Sequence, residues 1–301
     1  MNDDIARRAV LSPILSSSTF QPLSASVQVQ FGARSHPGSR LRNEDHYLIM
    51  RIGRDQETLV TSLPSADLPG KFAESAYALL VADGLGEGGS GSVASRVAIS
   101  TMAHVLLHFG KWNVRIDPRT AEEIFERAEW YYARVDDAVR QHAGTSPVLK
   151  GMTTALTLAY SAGDDLFVAH VGHSRAYVYR GGALSQLTRD HTLEQHLADA
   201  NRPASIERRA QDLRHILTDA VGAAGAHPLV EVEKFRLLDG DILLLCTNGL
   251  TDMVTDDEIA DALALQRSPD ETCATLIELA NRAGGADNIT VAIAQYQIPT
   301  G

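Results

Sequence analysis

Cysteine, long apolar runs and positive charge are all scarce in this sequence. The two cysteines, Cys246 and Cys273, lie in apolar stretches without metal-ligand spacing, which predicts reduced core side chains rather than a disulfide or a zinc site. No apolar run reaches the roughly 18 residues that indicate a membrane span. The early segment "AVLSPIL" is interrupted by Pro13 and is atypical of a signal peptide. We therefore expect a cytoplasmic protein that does not enter a membrane.

The charge balance also limits the function. The chain has 27 Lys and Arg residues against 38 Asp and Glu residues, so a nucleic-acid backbone is excluded as the main partner and a site that attracts cations is favoured. With 301 residues, 44% of them hydrophobic, the chain can bury a large core. The serine-rich start predicts an N-terminal extension over residues 1–26, followed by one domain over residues 27–298.

The order of the secondary-structure signals predicts an α+β fold. Strand patterns such as "SVQVQFGARS" and "YALLVAD" precede two long helical patterns. Short strands then follow as an expected antiparallel meander, "TTALTLAY", "LFVAHVG" and "RAYVYRGGALSQLT". "KFRLLDGDILLLCTNG" predicts a hairpin turned at Asp239-Gly240. Since strands and helices come in blocks, we expect a central antiparallel β-sandwich flanked by pairs of helices.

The stretch "LLVADGLGEGGSG", residues 79–91, ends an apolar strand in a glycine-rich loop. A phosphate-binding P-loop would need a lysine that is missing here, and Glu87 would repel phosphate. A bound cation removes that repulsion, so a metal site is favoured, with Asp83 as a bridging carboxylate and the Gly84 carbonyl unobstructed. The alternative is that Asp83 only caps backbone amides of the turn.

Three other stretches bring oxygen ligands to strand ends or turns. They are "RLRNEDHYL" with Glu44 and Asp45, "LCTNGLTD" with Asn248, and "GGADNITV" with Asp287. Carboxylate and amide oxygens suit hard cations such as Mg²⁺ or Mn²⁺, not zinc held by His and Cys.

These four stretches, in this order, resemble the metal-dependent protein phosphatase (PPM) family, the type 2C serine/threonine phosphatases. "GMTTALTLAY", "LFVAHVGHSRAYVYRGGALSQLTRDHT" and "LTDAVG" extend the resemblance over roughly residues 28–297. The resemblance implies an α-β-β-α fold and hydrolysis of phosphoserine and phosphothreonine by water at a binuclear Mn²⁺ or Mg²⁺ centre. It also implies phosphorylated proteins as substrates, a serine/threonine kinase as a partner, and a monomer.

The resemblance assigns metal-site roles to particular positions. Asp83 corresponds to the carboxylate that bridges two ions, and Gly84 to a carbonyl ligand. Asp287 corresponds to a terminal ligand of the first ion. Glu44 and Asp45 match the acidic pair that binds the second ion or orients its waters.

The resemblance also implies how the substrate is handled. Arg40 corresponds to the arginine that binds the substrate phosphate, with Arg42 as a competitor for that role. Leu85 stands where some members carry a histidine proposed as general acid, so proton donation would fall to another group such as a metal-bound water.

Two positions depart from the family pattern. Asn248 and His173 stand where the family usually has aspartate. Asn248 offers an oxygen without charge, which predicts a weaker or more selective first metal site, and Asp252 is a candidate to compensate. His173 replaces a ligand of a possible third ion and has three open interpretations: ligand for Mn²⁺, proton donor, or filler of the turn.

Alternative functions remain open at the level of sequence. The main alternative to an active phosphatase is a pseudophosphatase binding module, inactivated at Asn248 and His173; a third is a phosphatase dedicated to one regulatory protein. Residues 190–215 resemble the family's variable flap beside the active site, or else form an ordinary solvated helix. The basic residues of this segment include Arg202, Arg208 and Arg209. Three further histidines are interpreted as structural: His170, His191 and His196.

Overall fold

The computed structural model describes residues 27–63, 72–109, 118–200 and 213–298. The predicted extension over residues 1–26 lies outside the described residues, as do Arg202, Arg208 and Arg209 of the predicted flap. None of the described helices is both long and apolar enough to cross a membrane.

Ten strands within these ranges form two antiparallel sheets of five strands each. The first sheet has the order β1-β10-β9-β6-β7, and the second has the order β2-β3-β4-β5-β8. The strands are β1 Gln28–His36, β2 His46–Gln56, β3 Phe72–Leu85, β4 Thr153–Ala162, β5 Asp165–Val171, β6 Arg175–Arg180, β7 Ala183–Gln186, β8 Glu231–Arg236, β9 Ile242–Cys246 and β10 Ile289–Gln297.

Helices cover the outer faces of both sheets. The helices are α1 Ser90–Phe109, α2 Pro118–Ala143, α3 Leu193–Asp199, α4 Asn248–Thr251, α5 Asp256–Ala264 and α6 Pro269–Arg282. Helix α1 packs on β3 and on α2, while α6 packs on β1 and β10. Thr255 and Ser268 start α5 and α6 with capping boxes, which satisfy backbone amides that a helix leaves unpaired at its first turn.

The hydrophobic core lies in three layers. Leu79, Val81, Val168, Leu243 and Tyr296 belong to the layer shared by the two sheets. One layer joins α1 and α2 to the second sheet, and another joins α5 and α6 to the first. The predicted sandwich flanked by helix pairs is therefore confirmed. Both cysteines are free and buried, as expected for reduced core residues.

Two predicted strand connections are wrong. The chain reverses at Gly163-Asp164 between β4 and β5 and at Gly181-Gly182 between β6 and β7, but β5 and β6 belong to different sheets, so the strands do not form one meander. Likewise β8 pairs with β5, whereas β9 pairs with β10 and β6, so the turn at Asp239-Gly240 joins two sheets and not a hairpin. Turn residues specify that a chain reverses, but long-range packing decides which sheet receives the next strand.

Tyr132 gives a test of how α2 is fixed to the second sheet. Its buried hydroxyl lies 3.1 Å from the Leu156 carbonyl and 2.7 Å from the Ala169 carbonyl. We expect Tyr132→Phe to lower the free energy of unfolding by about 1 kcal/mol, since it removes a buried hydrogen-bond donor. Urea denaturation measures this change. The control Tyr47→Phe alters an exposed ring, and an equal loss in both variants would contradict the expectation.

Candidate metal centre and phosphate cleft

Four segments meet at one end of the sandwich. They are the loop before β2, the end of β3, the start of α4 and the residues just before β10. A cleft of about 620 Å³ at this point is lined by residues that include Arg40, Asp83, His173, Asn248 and Asp287. An adjoining cleft of about 510 Å³ shares Arg40, Asp83, Leu85 and Asp287 with the first. The structure thus brings residues from distant parts of the sequence to one groove.

Asp83 is a buried carboxylate on the wall of both clefts. It lies on β3, where its backbone carbonyl accepts a hydrogen bond from the Thr154 hydroxyl at 2.7 Å. Burial, together with repulsion from Asp45 and Asp287, holds the pKa of Asp83 well above its usual value. The carboxylates here are therefore costly to ionise together, and a cation between them would relieve that cost.

Asp45 is buried directly behind this wall. Its Oδ2 accepts hydrogen bonds from the hydroxyls of Thr247 and Thr290, both at 2.8 Å. Burial raises the pKa of Asp45, and its Oδ1 has no hydrogen-bond partner among the described residues. Asp45 does not line either cleft, so it faces Asp83 from the protein interior.

Gly84 and Glu44 face a small space at the start of α1. A methyl group on Gly91 would lie 2.5 Å from Glu44 Oε2 and 2.5 Å from the Gly84 carbonyl oxygen. The glycine at position 91 therefore leaves these two oxygens open to the same space. Burial raises the pKa of Glu44, while Arg42 and Arg40 oppose that rise. Both oxygens belong to the residues that line the second cleft.

Asn288 connects the pieces of the site and was missed as a functional residue in the sequence. Its Oδ1 accepts from the Glu44 amide at 2.8 Å, and its Nδ2 donates to the carbonyls of Pro37 at 3.0 Å and Arg42 at 2.9 Å. One side chain thereby fixes the loop that carries Arg40 and Glu44 to the start of β10. The only sequence signal was its position directly after Asp287.

Arg40 and Arg42, the two candidates for binding phosphate, take different positions. Arg40 donates from Nη2 to Asp287 Oδ2 at 3.0 Å and from Nε to the Ala286 carbonyl at 3.1 Å. Its side chain remains 58% exposed, and it borders both clefts. Of the two clefts, Arg42 borders only the second. The geometry therefore favours Arg40 for a phosphate at the centre of the groove.

Asn248 lies beside Asp252, the residue considered as its compensating partner. Its Nδ2 donates to Asp252 Oδ2 at 3.2 Å, while its buried Oδ1 has no partner among the described residues. Asp252 also contacts Arg214 at 3.4 Å and His215 at 3.7 Å. An unpaired buried oxygen is costly unless it has a ligand, so this amide oxygen is available as a neutral donor to a cation.

His173 is buried beside Asp83, with Nε2 at 3.8 Å from Asp83 Oδ2. Burial lowers the pKa of His173 to about 4, so the ring is neutral near pH 7 and is a poor proton donor. Its Nδ1 has no hydrogen-bond partner among the described residues. Of the three interpretations made from sequence, proton donation is therefore the least favoured.

The other three histidines have positions that fit structural roles. His170 is buried, lies 2.8 Å from the Thr157 hydroxyl and 3.0 Å from the Gly172 carbonyl, and has a pKa lowered by burial to about 3. His191 contacts the His170 ring, while His196 lies on α3. None of the three lines the two clefts that contain Asp83.

The donor set fits hard divalent cations that keep part of their water shell. In the described part of the chain, no three His, Cys, Asp or Glu side chains are grouped closely enough to hold a metal by themselves. The oxygens available here include a backbone carbonyl and an amide as well as carboxylates, so water must complete the coordination, as Mg²⁺ commonly requires. The unpaired oxygens of Asp45 and Asn248 and the raised pKa of Asp83 support this fit.

An α-β-β-α sandwich with these oxygens and an exposed arginine at one end defines a candidate metal-dependent site for phosphate chemistry. Comparison with known proteins agrees: the family model of protein phosphatase 2C matches residues 57–282. The chain therefore belongs to the protein phosphatase 2C family.

Relatives and solved structures give the same result. The chain is 33% identical over 216 residues to the serine/threonine protein phosphatase PstP of Mycobacterium tuberculosis, a match that covers 72% of this chain but only 40% of PstP. It is 34% identical over 225 residues to the serine/threonine phosphatase stp of Listeria welshimeri, covering 73% and 84% of the two chains. A crystal structure of the PstP catalytic domain with two manganese ions superposes with a TM-score of 0.67 at 29% identity, covering 90% of this chain and 99% of that one.

Asn288→Asp tests the connecting role of the Asn288 amide. The substitution keeps the shape but replaces the two N–H donors to the Pro37 and Arg42 carbonyls by a carboxylate oxygen. We expect the loop with Arg40 to shift and kcat/KM for a phosphopeptide to fall about tenfold, the size of one or two lost buried hydrogen bonds. Steady-state kinetics measures this. An unchanged kcat/KM would show that the loop is held without Asn288.

Proposed function

We propose that this protein is a metal-dependent serine/threonine protein phosphatase that hydrolyses phosphoserine and phosphothreonine in other proteins. The observation that carries the proposal is the groove in which the buried Asp83 and the exposed Arg40 meet Asp287. The names of the relatives support the substrate class.

The residues divide between holding cations and holding phosphate. We propose that Asp83, Asp287 and Asn248 would hold a first cation and that Asp83, the Gly84 carbonyl and Glu44 would hold a second. Asp45, which lies behind these ligands in the protein interior, holds them in position. When bound, Mn²⁺ or Mg²⁺ would activate a water and offset the negative charge of the phosphoryl group. The two-manganese structure of the PstP catalytic domain favours Mn²⁺ as the first ion to test.

Arg40 orients the substrate phosphate. Its guanidinium is fixed by Asp287 and the Ala286 carbonyl yet stays exposed on the groove. A planar, fixed arginine can bind two phosphate oxygens at once, which places phosphorus for attack from one direction. Leu85 offers no proton, and His173 is neutral, so the leaving hydroxyl must take its proton from a group other than these two.

The position of His173 is a poor site for a third hard cation. It has a neutral imidazole where a carboxylate would attract Mg²⁺, and the neighbouring Asp252 carboxylate already contacts Arg214 and His215. We therefore propose two ions. We also propose a cytoplasmic, monomeric signalling enzyme that opposes a serine/threonine kinase.

Hydrolysis assays test the proposed activity directly. We expect the wild-type protein to hydrolyse p-nitrophenyl phosphate and a phosphothreonine peptide with Mn²⁺, less well with Mg²⁺, and not with EDTA. A protein that binds two Mn²⁺ ions by calorimetry but releases no phosphate from either substrate would instead be a pseudophosphatase. A rate that is unaffected by EDTA would contradict the metal-dependent mechanism.

A further inference from the structure

Arg42 is held on the glycine-rich loop by the backbone. Its Nη1 donates to the Gly88 carbonyl at 3.0 Å. A methyl group on Gly89 would lie 2.3 Å from the same nitrogen, so the absence of a side chain at Gly89 makes room for the guanidinium. Gly88 and Gly89 both have positive φ, +66° and +95°, which other residues rarely adopt. This part of the glycine loop is therefore shaped to hold Arg42.

Arg42 forms no ion pair with a carboxylate among the described residues, although its charge favours the ionised form of Glu44 at longer range. A guanidinium has five N–H donors, and Gly88 supplies the one acceptor for its side chain among the described residues. Arg40, in contrast, is already paired with Asp287. The other ionisable side chains in the second cleft, Glu44, Asp83 and Asp287, belong to the proposed metal centre. A divalent cation there offsets their charge and leaves Arg42 free for a ligand.

The second cleft extends the groove from the proposed phosphate position to Arg42. It shares Arg40, Asp83, Leu85 and Asp287 with the first cleft and continues over Gly86, Gly88 and Gly89. Leu41, beside Arg42, is fully exposed and also lines it. This branch therefore combines an accessible cation, an exposed apolar side chain and a glycine backbone, which can contact an extended peptide.

We infer that this branch binds the residues next to the phosphorylated residue and that Arg42 binds an anionic side chain there. The inference rests on the proposed phosphatase function and adds a substrate preference to it: phosphoprotein segments with a carboxylate or a second phosphate beside the scissile phosphoserine or phosphothreonine. Charge-assisted bonds from arginine suit both anions. Arg42 is in this view a specificity residue, while Arg40 holds the phosphate that is removed.

Binding of matched peptides tests the preference without turnover. The probes are fluorescent peptides with a non-hydrolysable phosphonate in place of phosphothreonine, flanked on both sides by Glu, Gln or phosphoserine, the last also as its phosphonate analogue so that no group of a probe can be hydrolysed. The proteins, loaded with Mn²⁺, are the wild type, Arg42→Gln, and the control Arg51→Gln, which changes an exposed arginine on β2. Fluorescence polarisation gives Kd for each pair, and parallel kcat/KM values come from the hydrolysable phosphothreonine peptides.

We expect the wild type and Arg51→Gln to bind the Glu or phosphoserine peptide about threefold to fivefold more tightly than the Gln peptide, as for an exposed ion pair. In Arg42→Gln the ratio of Kd for the Gln peptide to Kd for the anionic peptide should approach one. Added salt should reduce this ratio in the wild type. An anion preference that survives Arg42→Gln, or no preference in the wild type, overturns the inference. If the wild type prefers the anionic peptides but hydrolyses none of the phosphothreonine peptides, only the proposed activity is overturned. If it hydrolyses these peptides without preferring the anionic ones, only the role of Arg42 is overturned.

Discussion

Asp83→Asn should abolish catalysis while making the metal-free protein more stable. The carboxylate is buried, and burial with repulsion from Asp45 and Asp287 raises its pKa well above the usual value. As the pH rises above the ordinary pKa of aspartate, the carboxyl ionises in the unfolded chain while burial opposes its ionisation in the folded state, so Asp83 lowers stability at pH 8. An amide removes this cost, and its N–H can donate to the neighbouring Asp45 carboxylate.

Two measurements on Asp83→Asn separate these effects. We expect kcat/KM with Mn²⁺ to fall by at least about 100-fold, the size of loss when one electrostatic contact to the transition state is removed. In EDTA at pH 8 we expect Tm to rise by about 3 °C, corresponding to about 1 kcal/mol. The rise should shrink at pH 5, because the cost of keeping Asp83 buried falls as the pH approaches the ordinary pKa of an aspartate in the unfolded chain.

The control for Asp83→Asn is Asp261→Asn on α5. Asp261 is exposed and lies outside both clefts, so its variant should keep wild-type turnover and wild-type Tm in EDTA. A loss of activity in Asp83→Asn together with a lower Tm in EDTA would contradict the proposed role, because it would indicate misfolding instead of a missing metal ligand.

Asn248→Asp should strengthen metal binding. The Asn248 Oδ1 is buried without a partner among the described residues, and Asn248 already lies next to Asp252. A carboxylate adds a full negative charge at this position, and the charge of the ligands is a main determinant of affinity for hard cations. We expect the Mn²⁺ concentration for half-maximal activity to fall about tenfold. In EDTA, Tm should fall, since the introduced carboxylate and Asp252 would repel each other without a cation.

The comparison for Asn248→Asp is Asn281→Asp. Asn281 lies on α6 and lines neither cleft, so the same change of charge there should leave the Mn²⁺ requirement unaltered. If both variants shift that requirement equally, net charge is responsible and not ligation at position 248. If Asn248→Asp needs more Mn²⁺ than the wild type, the amide is the better ligand and the proposal for Asn248 fails.

The strand and helix patterns of the sequence were sufficient to predict the architecture but not every connection. The apolar runs of β3 and β9 and the long helical patterns of α1 and α2 are local signals, and each element was found. The sheet that a strand joins is not a local property: β5 and β6 are separated by three residues yet lie in different sheets. Only packing across the sandwich decides this.

The predicted site residues meet in space, but their supports were not visible in the sequence. Asp83, Asp287, Asn248 and Arg40 line one cleft, as expected for parts of one site. The hydroxyls of Thr247 and Thr290 that hold Asp45 lie on different elements, and threonine is so common in strands that it gives no signal. The fixing of Arg42 by the glycine loop likewise depends on two segments that are far apart in the chain.

The pairing of β1 with β10 has a consequence for the synthesis of the protein. Gln28 faces Gln297 across these strands, and the loop that follows β1 is fixed by Asn288. A nascent chain that has left the ribosome up to residue 285 therefore contains Asp83, Glu44 and Arg40 but neither Asp287 nor Asn288. Since long-range strand pairing must await its last partner, the first sheet and the proposed metal site can be completed only after β10 has left the ribosome, and a product truncated before Asp287 would lack part of that site.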